Sequence, residues 1–259
     1  MAIRDCILGL EPLKLLSPER DDRKLNCRLN KGIQMNILIA VAHQLELDPF
    51  IARFSVEHSK NNGHGKEYQL QHEGHHIRLI RTGIGMDSAK ASLEHAVSSQ
   101  EKSPELILNF GTCGGIHPDR QIDDLVLGTQ VICDKPECPP IDLVSEEQDN
   151  FRDYLTSQKT PFFEGSVFST ERAIANERDR YAIYSGTKAQ VVDMEGYGLA
   201  EIAMKHELPL VMMKSVSDNA DEFVMKDFLV NVQDAMTALS DHLFGFLNFL
   251  SATPKGVRD

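Results

Sequence analysis

Short apolar runs alternate along this chain with segments whose apolar residues recur at helical spacing. Ile37–Ala42 and Leu106–Phe110 are the clearest runs, and such runs are typical of strands that are buried on both faces of a sheet. Similar patterns predict further strands at His75–Arg81, Leu125–Cys133, Phe162–Ser169, Gln190–Asp193 and Pro209–Val216.

Helices are predicted in the intervals between these strands. The longest, Asp227–Leu250, carries a stripe of apolar residues on one face. Shorter helices are predicted at Gln44–Phe54, Asp87–Val97, Glu146–Gln158, Glu171–Tyr181 and Gly196–His206. Strands that alternate with helices indicate an α/β protein. We therefore expect a single-domain three-layer sandwich with a central mixed, largely parallel sheet flanked by helices.

The polarity of the chain separates one long domain from two short ends. Residues 35–252 contain no Ser/Gly tract, Pro run or charge block that would indicate a linker. Residues 1–34 are mostly polar with scattered charges, so we expect a poorly ordered appendage and not a signal peptide. Residues 253–259 form a short tail, and no apolar run approaches the roughly 18 residues of a membrane helix.

The charge of the chain narrows the classes of partner. The formal net charge is −12 and the pI is about 5.3. Nucleic acids and anionic membranes both attract basic proteins, because their phosphates pair with Lys and Arg. We therefore expect neither nucleic acid nor membrane as a partner.

The cysteines and histidines favour a reduced, metal-free protein. The five cysteines are odd in number and lack the paired spacing of a zinc site, so we expect reduced thiols, a cytoplasmic location and no cofactor. Cys113 has no evident base and neighbours several glycines, which favours packing in a tight turn over a nucleophilic role. His64 and the pair His75-His76 lie among polar residues, so we expect them to be solvated.

Polar residues follow several of the predicted strands. Ligands of open α/β sheets bind beyond the carboxyl ends of the strands, so the side chains found there are the first candidates for a site. The candidates are Glu46, Thr112, Glu195 and Asp218.

Five short segments carry a resemblance to a known family. Each is weak alone, but their order and spacing together resemble the purine and uridine phosphorylase superfamily. They are closest to its hydrolytic branch of methylthioadenosine/S-adenosylhomocysteine nucleosidases and futalosine hydrolases. The resemblance spans about Met35 to Leu250 and implies a homodimer that binds a nucleoside and uses water as the nucleophile. The segments are Ile37–Glu46, Gly83–Gly85, Asn109–Gly115, Val192–Glu195 and Ser217–Asp221.

Val192–Glu195 resembles the family's V-[ED]-M-E element, which implies a role in ribose binding. The carboxylate of Glu195 can accept hydrogen bonds from both ribose hydroxyls and stabilise the positive charge that develops on the sugar. The backbone of Met194 would support the sugar. From its position alone, Glu195 is more simply an acid of a first helical turn.

Ser217–Asp221 resembles the family's S-D-x-A-D element, which implies an acid that protonates the leaving base. A purine protonated at N7 leaves as a neutral group, and burial would raise the pKa of Asp218 so that it holds this proton. Ser217 is expected to line the site. Ser-Asp-Asn is also a turn sequence, and that simpler interpretation fits Asp221.

Glu46 stands where the hydrolytic branch places the acid that orients the attacking water. Thr112 stands where the family uses Ser or Thr near that water or the phosphate. Lys214 occupies a position at which the hydrolases often have Arg, and it would help to fix the water and Glu46. The resemblance also places Gly111, Ile174 and His43 in the substrate site.

Besides a shortened loop after Cys133, two positions depart from the nucleosidase pattern. Ala173 stands where adenine-specific hydrolases carry a base-stacking Phe, and His43 stands where the family often contacts the sugar with Met. A His that faces the substrate would favour a polar 5′ group, with Phe223 or Phe228 lining the same side. The alternative is that the side chain of His43 points away and only its backbone matters.

Other functions stay open on the sequence alone. Phosphorylases of the superfamily hold phosphate with Arg, which Ala42–Glu46 and Asn109 lack, so hydrolysis is favoured over phosphorolysis. Gly83–Ser88 partly resembles a dinucleotide-binding fingerprint but lacks its third Gly. A non-catalytic nucleoside sensor would need the ribose-binding acid but neither of the other two acids.

Overall fold

The computed structural model describes residues 34–61, 66–99 and 103–253. The predicted appendage, apart from Gln34, lies outside the described residues, and so do His64 and all of the predicted tail except Thr253. Among the described helices, none has the length and apolar character needed to span a membrane.

The described residues form ten strands and six helices. The strands are β1 (Asn36–Val41), β2 (Val56–Asn61), β3 (Lys66–His72), β4 (His75–Arg81), β5 (Leu106–Gly115), β6 (Leu125–Cys133), β7 (Ile141–Asp142), β8 (Phe163–Ser169), β9 (Val191–Asp193) and β10 (Leu210–Asp218). The helices are α1 (Gln44–Arg53), α2 (Met86–Ser98), α3 (Glu146–Ser157), α4 (Glu177–Thr187), α5 (Gly196–Lys205) and α6 (Val224–Ala252).

All ten strands belong to one mixed sheet, part of which closes on itself. β1 lies between β4 and β5 and runs parallel to both. β5 also pairs with β10 in parallel and with β9 in antiparallel orientation. β6 and β8 connect β10 to β9, so that five strands form a closed ring. The ends of β1, β9 and β10 therefore meet around the end of β5.

Two layers of helices bury the two faces of the sheet. One core cluster packs α1, α3 and α6 on the sheet, with Phe50, Phe151 and Met236 fully buried. The other packs α2 and α5 on the opposite face through Leu93 and Leu199. The predicted α/β sandwich with a central sheet flanked by helices is confirmed.

Several elements differ from the pattern-based prediction. β5 continues through Gly115, where the glycines favoured a turn, because its end pairs with both β9 and β10. The helix predicted at Glu171–Tyr181 begins only at Glu177, where the side chain of Asn176 accepts a hydrogen bond from the backbone N–H of Asp179. β2 and β3 were not predicted, since β2 is exposed along its whole length and shows no apolar alternation.

The prediction that His75 is solvated is wrong. His75 is fully buried because the end of α6 covers the start of β4. Its Nδ1 accepts a hydrogen bond from the N–H of Met35, and its Nε2 lies 2.9 Å from the hydroxyl of Ser251. Burial lowers the pKa of His75, so it is a neutral packing residue. Its neighbour His76 is exposed, as expected.

Candidate active site

A cavity of about 230 Å³ lies at the carboxyl ends of β1, β5, β9 and β10. Its walls come from these strand ends, the N-terminus of α1, the loop after β4, the loop after β8 and the first turns of α6. Two residues predicted for the site, Gly111 and Lys214, lie beneath the cavity and do not line it. The predicted residues that line it are His43, Glu46, Thr112, Ile174, Met194, Glu195, Ser217 and Asp218.

Glu46 is held by four hydrogen-bond donors before any ligand is present. It lies in the first turn of α1 and is 4% exposed. Its Oε2 accepts the backbone N–H groups of Ala42 and His43 at 3.1 and 3.0 Å. Its Oε1 accepts the N–H and the hydroxyl of Thr112 at 2.8 and 2.7 Å. These bonds fix the orientation of the carboxyl group toward the cavity floor.

Gly111 gives Glu46 the room to reach β5. A Cβ at Gly111 would lie 3.2 Å from Oε1 of Glu46 and 3.8 Å from Nζ of Lys214. Gly111 therefore contributes to the site by leaving room for the side chain of Glu46, and it does not contact the cavity itself.

Glu195 is the N-cap residue of α5 and is 8% exposed. Its Oε1 accepts the backbone N–H of Gly85 at 2.9 Å, which ties β9 to the loop before α2. Burial and the neighbouring Asp193 raise the pKa of Glu195 to about 8. A nearly buried carboxyl group with one protein donor keeps lone pairs available for hydroxyl groups of a ligand.

The loop Gly83–Gly85 serves the site in a way that the sequence pattern did not reveal. Its glycine spacing partly resembles a dinucleotide-binding fingerprint, but the N–H of Gly85 binds Glu195. Gly83 and Gly85 have φ angles of 81° and 97°, which glycine adopts without strain. The resemblance of Gly83–Gly85 to the family marked this loop as part of the site, but the sequence did not show that its partner is Glu195.

Lys214 binds Asp193, and the predicted contact with Glu46 is not among its hydrogen bonds. Its Nζ lies 2.8 Å from Oδ2 of Asp193, and both side chains are almost completely buried. Desolvation opposes the charge on Lys214, but the carboxylates of Asp193, Glu195 and Glu46 outweigh it and raise its pKa. Lys214 is therefore a buried cation below the cavity.

Asp193 lines the cavity and joins several of the elements around it. It accepts hydrogen bonds from the hydroxyl of Ser169 at 2.6 Å and from the backbone N–H of Gly196 at 3.0 Å, besides its pair with Lys214. These contacts fix the end of β8, the start of α5 and the middle of β10 relative to one another. Glu195 lies between Asp193 and Gly196 in the chain, and the hydrogen bond between these two residues restricts its position.

Asp218 ends β10 and is 5% exposed. Desolvation raises its pKa, although its bonds to the N–H of Ala220 and the hydroxyl of Ser217 act in the opposite direction. A carboxyl group with a raised pKa can hold a proton closer to neutral pH and donate it to a ligand. Asp221 instead accepts the N–H of Phe223, which fits its simpler interpretation as a turn residue.

Cys113 is buried near the carboxyl end of β5. It borders the cavity and is 4% exposed. Burial raises the pKa of its thiol well above the usual range, so the nucleophilic thiolate is strongly disfavoured. The packing role expected for Cys113 is compatible with this environment, although it lies in a strand and not in a turn.

His43 and Phe228 lie together on one wall of the cavity. The ring of His43 lines the cavity and lies edge-on to Phe228, with ring centroids 6.1 Å apart. Val224 and Met225 complete this wall, whereas Phe223 is 53% exposed and does not line it. The contact with Phe228, which also lines the cavity, favours the orientation in which the side chain of His43 faces the cavity.

A second cavity, of about 370 Å³, lies near the opposite ends of the strands, where β1 and β4 begin. Its most prominent cation, Arg78, already binds Glu67, Ser99 and the carbonyl group of Ala96. Because acids with perturbed pKa values surround the smaller cavity, we assign the functional site there. Within the described ranges, no group of three or more His, Cys, Asp or Glu is arranged to hold a metal ion.

Comparison with known proteins identifies the family. The model of the phosphorylase superfamily matches residues 36–248, and the chain therefore belongs to this superfamily. The methylthioadenosine/S-adenosylhomocysteine nucleosidase of Desulfotalea psychrophila is 26% identical over 203 residues, which cover 73% of this chain and 86% of the relative. The 5′-methylthioadenosine nucleosidase of Arabidopsis thaliana is 25% identical over 83% of this chain and 87% of its own.

Solved structures support the same fold. The methylthioadenosine-bound nucleosidase of Helicobacter pylori has a TM-score of 0.78 at 20% identity, with 83% of this chain and 99% of that chain covered. The futalosine hydrolase of the same organism has a TM-score of 0.77 at 20% identity, with 83% and 97% covered. At this identity the likeness establishes the architecture, and substrate assignment has to come from the site.

Proposed function

We propose that this protein is a nucleosidase that hydrolyses the N-ribosidic bond of a purine-type nucleoside to free base and ribose. One observation carries the proposal: four buried acids, Glu46, Asp193, Glu195 and Asp218, line one cavity, and none of the described residues that line it is Arg or Lys. Phosphate needs cationic partners, whereas water needs only a base and a defined position. The nucleosidase names of its relatives support the same reaction class.

In this mechanism Asp218 is the general acid. It donates its proton to N7 of the purine as the bond between the base and C1′ of the ribose breaks. The electron pair of that bond stays with the base, which leaves as a neutral molecule. Burial supplies the raised pKa of Asp218 that this role requires.

Glu195 and Glu46 act on the sugar and on the water. Glu195 accepts hydrogen bonds from the ribose hydroxyls, which favour its ionised form against the raised pKa, and the carboxylate stabilises the positive charge that develops on the sugar. Glu46 orients a water molecule and takes one of its protons as the oxygen bonds to C1′. Thr112 holds Glu46 in place, and the backbone of Met194, together with Ile174 and Ser217, bounds the substrate.

A phosphate-dependence assay tests the proposal. The enzyme is incubated with adenosine, inosine and methylthioadenosine in phosphate-free buffer, and free base and sugar are quantified. We expect ribose, or its 5′-substituted form, at the same rate with and without added phosphate. Turnover that requires phosphate and yields the ribose 1-phosphate would instead show a phosphorylase, and the absence of released base in both buffers would favour a nucleoside sensor.

The proposal also covers the bounds of the catalytic domain, the location of the enzyme and its oligomeric state. We place the catalytic domain at residues 35–252 and the enzyme in the cytoplasm, since Cys113, Cys133 and Cys138 are free thiols. We also propose a homodimer, because large apolar side chains remain exposed near the mouth of the cavity. They are Ile84, Phe223, Met225, Leu229 and Val230.

A further inference from the structure

We infer that His43 selects the 5′ substituent of the substrate, and that this substituent presents an oxygen acceptor to the ring in preference to a thioether sulfur. The inference rests on the proposed function, since it takes the ribose to lie at Glu195 and the base at Asp218. It concerns the wall of the cavity formed by His43, Met225 and Phe228.

The positions of the acids assign this wall to the 5′ group. Asp218 marks the base and Glu195 marks the ribose hydroxyls, so the sugar lies between the base and the rest of the cavity. In a nucleoside the base on C1′ and the 5′ carbon on C4′ project from opposite ends of the sugar ring. The wall at the N-terminus of α1 and the first turns of α6 therefore remains for the 5′ substituent.

The hydrogen bonding of His43 determines which ring nitrogen carries the proton. His43 is the N-cap residue of α1, and its Nδ1 accepts the backbone N–H of Leu45 at 3.1 Å. A neutral imidazole that accepts at one nitrogen donates at the other, so Nε2 carries the hydrogen. None of the described residues accepts a hydrogen bond from this Nε2.

The ring is also fixed in direction. The cap bond to Leu45 holds one edge, and the ring lies at 81° to that of Phe228. The neighbouring wall residues Val224 and Met225 are apolar. His43 therefore offers one hydrogen-bond donor on an otherwise apolar wall, which suits a substituent with an apolar body and one acceptor atom.

Oxygen and sulfur differ as partners for this donor. An ether or hydroxyl oxygen accepts a hydrogen bond well, whereas a thioether sulfur accepts only weakly. When the substituent excludes water from the wall, a sulfur leaves the Nε2 hydrogen without an adequate partner, and an unpaired buried donor is unfavourable. We therefore expect oxygen-bearing nucleosides to be the better substrates.

Two substrates that differ by a single atom test this inference. 5′-O-Methyladenosine and 5′-methylthioadenosine share the base, the ribose and a terminal methyl group. We expect wild-type kcat/KM to be about fivefold to tenfold higher for the oxygen compound, as one hydrogen bond provides. His43→Met replaces the donor by apolar surface and should invert the preference.

His43→Asn is the matched control, because Asn keeps an N-cap acceptor for α1 but lacks the reach of the imidazole. It should retain the fold and show a ratio near one. A wild-type preference for the sulfur compound, or a ratio that neither substitution alters, would overturn the inference while leaving hydrolysis intact. If neither compound releases adenine under any condition, the proposed function fails and the inference falls with it.

Discussion

Three acids of similar intrinsic chemistry differ at this site because their hydrogen-bond partners differ. Glu46 accepts four donors from the protein, Asp218 accepts two and Glu195 accepts one. The four bonds fix the orientation of Glu46, and burial raises the pKa of Glu195 and of Asp218. The environment of each acid thus separates a residue suited to orienting water from residues that can hold a proton or bind hydroxyl groups.

Asp218→Asn should lower kcat by about 100-fold or more, because it removes the general acid while keeping the side-chain shape. The acid works only when protonated, and its raised pKa keeps it protonated to higher pH than an ordinary Asp. Wild-type activity should therefore fall as pH rises through that pKa, and this alkaline limb should disappear in the variant. The measurement is kcat against pH for a nucleoside with a poor leaving group.

The matched control is Asp221→Asn, a neighbouring acid whose side chain accepts the N–H of Phe223. It should retain kcat at neutral pH and keep the alkaline limb, which should move slightly to lower pH because the charge of Asp221 contributes to the raised pKa of Asp218. If Asp218→Asn turned over a poor leaving group at the wild-type rate, Asp218 would have no part in the mechanism.

At the level of residues, the sequence predicted the acids because they follow strands. Glu46, Glu195 and Asp218 stand next to apolar runs, and parallel strand ends meet at one edge, so all three were expected together. The partner of Lys214 was not predictable, because several carboxylates lie within reach of its long side chain. Which of them it binds depends on distances that only the folded sheet defines. His75 was missed because the packing of α6 on β4 has no local signature.

The elements around the cavity are joined by the buried pair of Lys214 on β10 and Asp193 on β9. Asp193 also holds the start of α5, so the pair connects two strands and a helix beneath Glu195. Breaking a buried pair leaves an uncompensated charge, which costs more than the pair itself contributes. The arrangement therefore makes the position of Glu195 dependent on Lys214.

Lys214→Met should lower the free energy of unfolding by about 3–5 kcal/mol, because Asp193 would lose its cation inside the protein. Adding Asp193→Asn should recover part of this loss, since the buried charge is then removed as well. Denaturant unfolding of the two single variants and the double variant gives the coupling energy. Strictly additive effects would contradict the pairing.

The surface pair of Lys205 and Glu94 provides the control for this cycle. Lys205 lies 2.9 Å from Glu94 and is 60% exposed. Lys205→Met should change stability by no more than about 1 kcal/mol, because exposed pairs are screened by solvent.

At the level of elements, the hydrophobic pattern predicted the strands that are buried on both faces and the helices that are buried along one face. It did not predict strands that are largely exposed. β1, β5 and α6 were predicted because their apolar residues are continuous or fall on one helical face. β2 has no buried residue to mark it. The segment after β8 had helical composition, but the cap at Asn176 and not the composition determined where α4 begins.

The whole molecule exposes apolar side chains on one end of α6. Met225, Leu229 and Val230 are each at least 60% exposed, although Met225 also lines the cavity. Monomeric proteins seldom leave a contiguous cluster of large apolar residues in water. These residues are the candidate contact through which a second copy would border the substrate site.

We expect a homodimer at micromolar concentration by light scattering. Leu229→Glu should shift the mass toward that of the monomer, because a charge in an apolar interface is desolvated without a partner. Val144→Glu is the control, since Val144 is also exposed but precedes α3, away from this cluster. A monomeric wild-type protein would contradict the expectation.

The closed ring of strands has a consequence for the order in which parts of the protein fold. β5 emerges from the ribosome long before β9 and β10, yet both must pair with it to complete the ring. Pairings between distant segments form late, since a long loop has to close first. Glu195 and Asp218 are carried by the two late strands, while Glu46 and Thr112 belong to the early part. The cavity is thus assembled in the final stage of folding, and a nascent or refolding chain remains catalytically silent until its core is complete.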